Sequence, residues 1–144
     1  MAQMHTLLKQ RILRAFALTE DLVAHLDERA LALDLAGLPS NRLAGQLWCV
    51  VGARESYARS LRAGQWQGFS CSVSEPRRKE HVAAALTRSR DDIAAMDFER
   101  MTEAQQAFAL DLLEHEIQHH GQLIRYVYAN GLKFPPSWTE RYTV

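Results

Sequence analysis

The strongest constraint on this chain is the spacing of its apolar residues. Leu8, Ile12, Ala15, Phe16, Leu22, Val23 and Leu26 recur at intervals of three and four. That is the period of a helix with one buried face, and it predicts a first helix over about residues 4–28. Gly37 and Pro39 mark a loop between Leu31 and Ser40. Ser40 is the expected N-cap of a second helix that runs to about Ala63, with Gly64 as its stop. Residues 64–74 have two glycines and no helical period, so they read as a connecting loop. Ser74-Glu75-Pro76 is the expected start of a third helix, carried by Val82, Leu86, Ile93 and Met96. Thr102 and Gln105 make a capping box for a fourth, which Asn130-Gly131 ends. The paired prolines at 135 and 136 predict an extended tail. No strand, repeat or low-complexity tract breaks the pattern. Four helices of about 30–40 Å each make an all-α fold, an antiparallel four-helix bundle.

Composition agrees with one domain over residues 1–144. Hydrophobic residues are 47% and charged residues 24%, which excludes a mainly disordered chain. Seventeen basic residues balance seventeen acidic ones. A neutral chain has no electrostatic reason to bind nucleic acid or a membrane surface. Cys49 and Cys71 are too few for a disulfide framework. No apolar run approaches the roughly 18–20 residues of a membrane span. The first residues, MAQMHTLLKQRILRAF, lack an apolar signal core, and their spacing runs on into the first helix. The expected location is the cytoplasm.

The chemistry is concentrated in His115-Glu116-Ile117-Gln118-His119-His120-Gly121-Gln122. At about 100° per residue, Asp111, Glu114, Gln118 and Arg125 share a solvent face. Leu113, Ile117, Ile124, Val127 and Tyr128 share the expected core face. His115 and His119 share a third stripe with Leu112, Gln122 and Tyr126, one turn apart, so both rings point the same way. Two such imidazoles can close on one divalent ion. Histidine pairs at this spacing also occur on polar faces without a ligand. His120 projects toward the core face. His5, His25 and His81 have no partner spacing and read as surface or helix-end residues.

The string also matches HExxH, in which two histidines hold zinc and the glutamate is the general base of a protease. That reading needs a further ligand downstream and a sheet edge for peptide. After His120 the chain offers no His, no Cys and one carboxylate, Glu140. A bundle instead takes its third ligand from a facing helix. On the second helix Leu43, Leu47, Val50, Val51 and Leu61 form an apolar stripe that includes Arg54. Gly45, Cys49, Gly52, Ala53, Ser56 and Ser60 form a stripe of small residues. Cys49 sits in its middle, as a soft metal ligand or as a packed thiol. For Arg54 the expectation is a snorkelling side chain; the alternatives are a carboxylate partner or an anion pocket. Trp48, Trp66, Phe69 and Trp138 are aromatic candidates for a pocket wall or for the core.

Four segments together carry a resemblance. They are Leu47-Trp48-Cys49-Val50-Val51-Gly52-Ala53-Arg54-Glu55-Ser56-Tyr57, Trp66-Gln67-Gly68-Phe69-Ser70-Cys71, His115-xxx-His119-His120-Gly121-Gln122-Leu123 and Phe134-Pro135-Pro136-Ser137-Trp138. In order and spacing the chain resembles the DinB-like (damage-inducible) family of metal-dependent four-helix-bundle proteins. The resemblance implies a zinc or nickel ion held by three histidines, one from the second helix and two from the fourth. His115 and His119 match the last two, and Cys49 stands at the first. A Cys-His-His set favours zinc. The resemblance further implies a homodimer and a small-molecule substrate, with a low-molecular-weight thiol as one class. The reaction is then thiol transfer or hydrolysis at an open metal position. Glu116, His120, Gln122, Tyr126, Arg54 and Trp48 are the residues expected around the ligands, and no catalytic residue is assigned. The alternative is a non-catalytic bundle that has lost its metal and serves as a dimeric interaction protein. A DNA-binding role has only the family's name behind it, and the neutral charge balance argues against it.

Overall fold

The structure is a computed structural model that describes residues 2–142. It is all-helical, with no strand among the described residues. Helix α1 spans Ala2–His25, α2 Leu43–Ala63, α3 Lys79–Ala94, α4 Glu103–Ala129 and α5 Pro136–Arg141. A short 3-10 turn covers Glu28–Ala32, with Asp27 accepting a hydrogen bond from Arg29 N at its start. No described helix is long and apolar enough to cross a membrane.

Two expected stop and start signals act as read. Gly64 ends α2 at φ +73°, in the left-handed region, and its N–H donates to Ser60 O. Thr102 and Gln105 form a reciprocal capping box at α4. Three expectations are corrected. Ser40 is not the N-cap of α2: Arg42 takes that position without a side-chain cap, while Ser40 Oγ accepts from Leu35 N and holds the preceding loop. Glu75-Pro76 does not start α3. Arg78 N donates to Glu75 O, which closes a turn first, so the helix begins at Lys79 and ends before Met96. The tail is not extended throughout. Pro135 is held extended by the proline after it, but Pro136 then opens α5, where its missing N–H is no loss. Helix α5 buries Trp138, whose indole donates to Leu18 O at 2.6 Å.

Helix α2 packs on α3 and α4, α1 packs on the same two, and α5 lies against α1. The core has two apolar clusters. One is built around Leu22, Leu31, Leu47, Val50, Leu86, Leu123 and Trp138. The other is built around Ile12, Phe16, Leu61, Ile93, Phe98 and Leu112. Along α1, α2 and α4 a polar residue divides the two: Thr19, Arg54 and Glu116, all with no exposed surface.

Helix α4 faces the core with an unexpected stripe. Its buried residues are Ala109, Leu112, Glu116, His119, His120, Leu123, Tyr126 and Val127. Of the expected core face only Val127 is among them. Ile117 and Tyr128 are exposed, and Leu113 and Ile124 are half-buried. The physical reason is that Glu116 finds a full set of partners inside, so a polar position turns inward and apolar ones turn out.

Candidate metal centre

Helix periodicity stacks His115 and His119 on α4, with ring centroids 4.5 Å apart. Across the seam α2 presents Cys49, half-buried like His115, between the small residues Gly45 and Gly52. Cys49 Sγ lies 3.5 Å from His115 Nε2. One ligand atom from each of Cys49, His115 and His119 falls within 4.8 Å of the other two. Zinc bonds of about 2.3 Å to sulfur and about 2.0–2.1 Å to nitrogen, at a tetrahedral angle, place the two donors about 3.6 Å apart. The observed sulfur–nitrogen separation matches that requirement. The three residues therefore form a group that can hold a metal ion.

The electrostatics suit a ligand set. Desolvation lowers the pKa of His115. Desolvation, and then the neighbouring His115, bring His119 down to about 4. Both rings are therefore neutral at pH 7 and keep a lone pair for coordination. Burial raises the pKa of the Cys49 thiol. A metal-free Cys-His nucleophile is disfavoured by the same facts, because no ion pair forms at rest. Moreover His115 Nδ1 is buried with no hydrogen-bond partner among the described residues, so nothing orients the ring as a base.

Glu116 belongs to different chemistry. Its carboxylate is fully buried and receives Arg54 Nε at 3.2 Å and Arg54 Nη2 at 2.5 Å. Burial alone pushes its pKa up, but Arg54, His120 and Thr19 outweigh that and hold it below the ordinary carboxylate range. Arg54 does not snorkel. It has no exposed surface, lies over the Phe16 ring and donates to Leu86 O and Phe16 O. With both oxygens bound to Arg54 inside the core, Glu116 cannot serve as base to a substrate at the seam, which removes the basis of the protease reading.

His120 also faces the core. Thr19 Oγ1 donates to Glu116 Oε1 at 2.6 Å, so it must accept from His120 Nε2 at 2.8 Å. His120 Nδ1 then accepts from the Tyr142 hydroxyl at 2.7 Å. A directional chain thus runs Tyr142, His120, Thr19, Glu116, and Arg54 closes it on the carboxylate. None of these atoms reaches the cysteine-histidine group. Of the other expected neighbours, Gln122 is exposed and Tyr126 donates to Asn41. Trp48 stands beside Cys49 on α2 and donates its indole N–H to Val73 O at 3.1 Å. Its ring is 5.4 Å from that of Phe69. Phe69 sits so close over Gly52 that any Cβ there would overlap its ring. The 64–74 loop is thereby laid along α2 next to Cys49.

Sequence reading missed Gln46. It lies one turn before Cys49, is buried, and contacts His119 Nδ1 through Oε1 at 2.6 Å. Its position on the Cys49 side of α2 was the available signal. Cys71 is half-buried against the apolar core, and burial raises its pKa too. His5 is buried rather than on the surface. His25 is exposed at the end of α1, and His81 lies 3.4 Å from Glu75.

No family model matches this chain, and no curated protein matches it.

Proposed function

We propose that this chain is a metal-dependent enzyme acting on a small molecule, with zinc held by Cys49, His115 and His119. The observation that carries the reading is the convergence of three good ligand atoms, from two helices, within 4.8 Å. The packing of α2 against α4 supports an antiparallel four-helix bundle of the DinB-like type as the scaffold. Three protein ligands leave a position for a further group, which distinguishes a reactive zinc site from a closed structural one. When bound there, the ion supplies Lewis acidity to an incoming thiol or water, the chemistry of thiol transfer or hydrolysis.

The chain's own residues do the rest. Neutral His115 and His119 offer lone pairs, and Cys49 gives up its proton when it becomes a ligand. Glu116 stays with Arg54 and adds no unpaired charge near the ligands. Trp48 and Phe69 give the α2 side an apolar rim that suits a small organic substrate.

The test is metal analysis by inductively coupled plasma mass spectrometry on untagged protein purified without chelators. About one zinc per chain is expected. Cys49→Ala and His119→Ala are each expected to abolish it while the protein stays helical by circular dichroism. Absence of metal after reconstitution would overturn the reading and favour a non-catalytic bundle.

A further inference from the structure

We infer that Gln46, held by Asn41 and Tyr126, fixes the tautomer of His119 and so decides which ring nitrogen is free to bind a metal. The primary amide of Gln46 has a donor end and an acceptor end. Gln46 Nε2 donates to Asn41 Oδ1 at 2.9 Å. The other end, Oε1, therefore faces His119 Nδ1 at 2.6 Å. A carbonyl oxygen only accepts, so Nδ1 carries the hydrogen. A neutral imidazole has one N–H, which leaves Nε2 with its lone pair.

Asn41 is itself held. The single hydroxyl hydrogen of Tyr126 is shared between two acceptors of Asn41, its backbone oxygen at 2.5 Å and Oδ1 at 2.6 Å. Tyr126 is 2% exposed and Gln46 8%, so water does not compete freely for these groups. Gly45 adds a steric reason for the small-residue stripe, since a Cβ there would lie 3.0 Å from Asn41 Nδ2. The relay runs from the residue before the N-cap of α2, through its first turn, to α4. Gln46 is thus a positioning residue, and it acts through His119. The reverse chain, with both amides turned over, would place Gln46 Nε2 on His119 Nδ1 and put the hydrogen on Nε2. The two arrangements give opposite answers, which makes the inference testable.

The consequence for affinity rests on the metal-centre reading, but the tautomer is a property of the metal-free protein. The experiment is a long-range proton–nitrogen correlation spectrum of nitrogen-labelled, metal-free protein at neutral pH. Wild type is expected to show His119 protonated at Nδ1. Gln46→Glu keeps an acceptor and is expected to keep that tautomer. Gln46→Leu removes the acceptor and is expected to shift the ring toward the Nε2–H form that predominates in free histidine. An Nε2–H ring in wild type, or an unchanged ring in Gln46→Leu, would overturn the inference. Zinc competition against a chromophoric chelator gives the second readout. Gln46→Leu should bind about 10–100-fold more weakly, with Gln46→Glu close to wild type. Equal affinity in Gln46→Leu would overturn the positioning role. Zinc uptake by none of the proteins would sink the metal-centre reading instead, and the spectrum would still decide the tautomer.

Discussion

Arg54 and Glu116 show what one misplaced partner does inside a small core. Each charge is fully buried, and their closest hydrogen bond is 2.5 Å. Removing Arg54 leaves the Glu116 carboxylate without its counter-charge, at a cost of about 3–5 kcal/mol. Arg54→Met is expected to lose that much in urea unfolding at pH 7. The double variant Arg54→Met/Glu116→Met is expected to recover most of it, because apolar groups of similar volume fill the space without a charge to satisfy. The apolar stripe of α2 included Arg54 and a carboxylate partner was one alternative, but the identity of that partner was not legible in the sequence. The two residues are 62 positions apart, and helix spacing says nothing of which residue on another helix will face Arg54. The histidine pair was legible because its geometry is local to one helix turn. Gln46 was not, because a glutamine has no spacing signature until its partner helix is in place.

At the scale of elements, helix existence was legible, and boundaries and faces were only partly so. Gly64 and the Thr102–Gln105 box are local chemistry, and local chemistry reads directly. The inward face of α4 is a tertiary decision taken by Arg54, and α5 depends on a cavity for Trp138 that only the assembled helices provide. The 64–74 loop is likewise placed by tertiary contacts. It is tied to α2 by Ser70 N donating to Ser56 Oγ, by Trp48, and by Phe69 over Gly52. Gly52→Ala favours the helix by up to about 1 kcal/mol but displaces the half-exposed Phe69 ring. Its expected effect on global stability is within about 1 kcal/mol of zero, the helix gain offsetting the lost contact. The loop should nevertheless detach locally. Faster hydrogen exchange over residues 66–72 and altered Trp48 fluorescence would report it, and an unchanged loop would contradict this account.

In the whole molecule, one buried polar chain joins α1, α2 and α4 to the segment after α5, through Thr19, Arg54, Glu116, His120 and Tyr142. Desolvation, against the pull of Glu116, brings His120 down to about 4 from the ordinary 6.5. Between those values the unfolded chain binds more protons than the folded one. Stability is therefore fully present above about pH 6.5 and is lost as pH falls toward 4. His120 contributes about 3 kcal/mol to that loss, and His119 acts in the same direction. Glu116, with its lowered pKa, adds to it further down. Urea midpoints of metal-free protein should therefore drop steadily from pH 7 to pH 4, and a flat profile would contradict the buried neutral state of His120.

The same chain of contacts also sets an order of assembly during synthesis. The ribosome makes Thr19 97 residues before Glu116, and Arg54 62 residues before it. Through that interval the guanidinium destined for the core has only the more distant Glu20 carboxylate of α1, 3.9 Å away in the folded chain, and lacks the direct hydrogen bonds of Glu116. A chain of α1, α2 and α3 alone leaves Arg54 without its closest partner, which makes burying it costly until α4 is added. Helix α4 brings the Glu116 carboxylate, and the same helix brings His115 and His119 to Cys49.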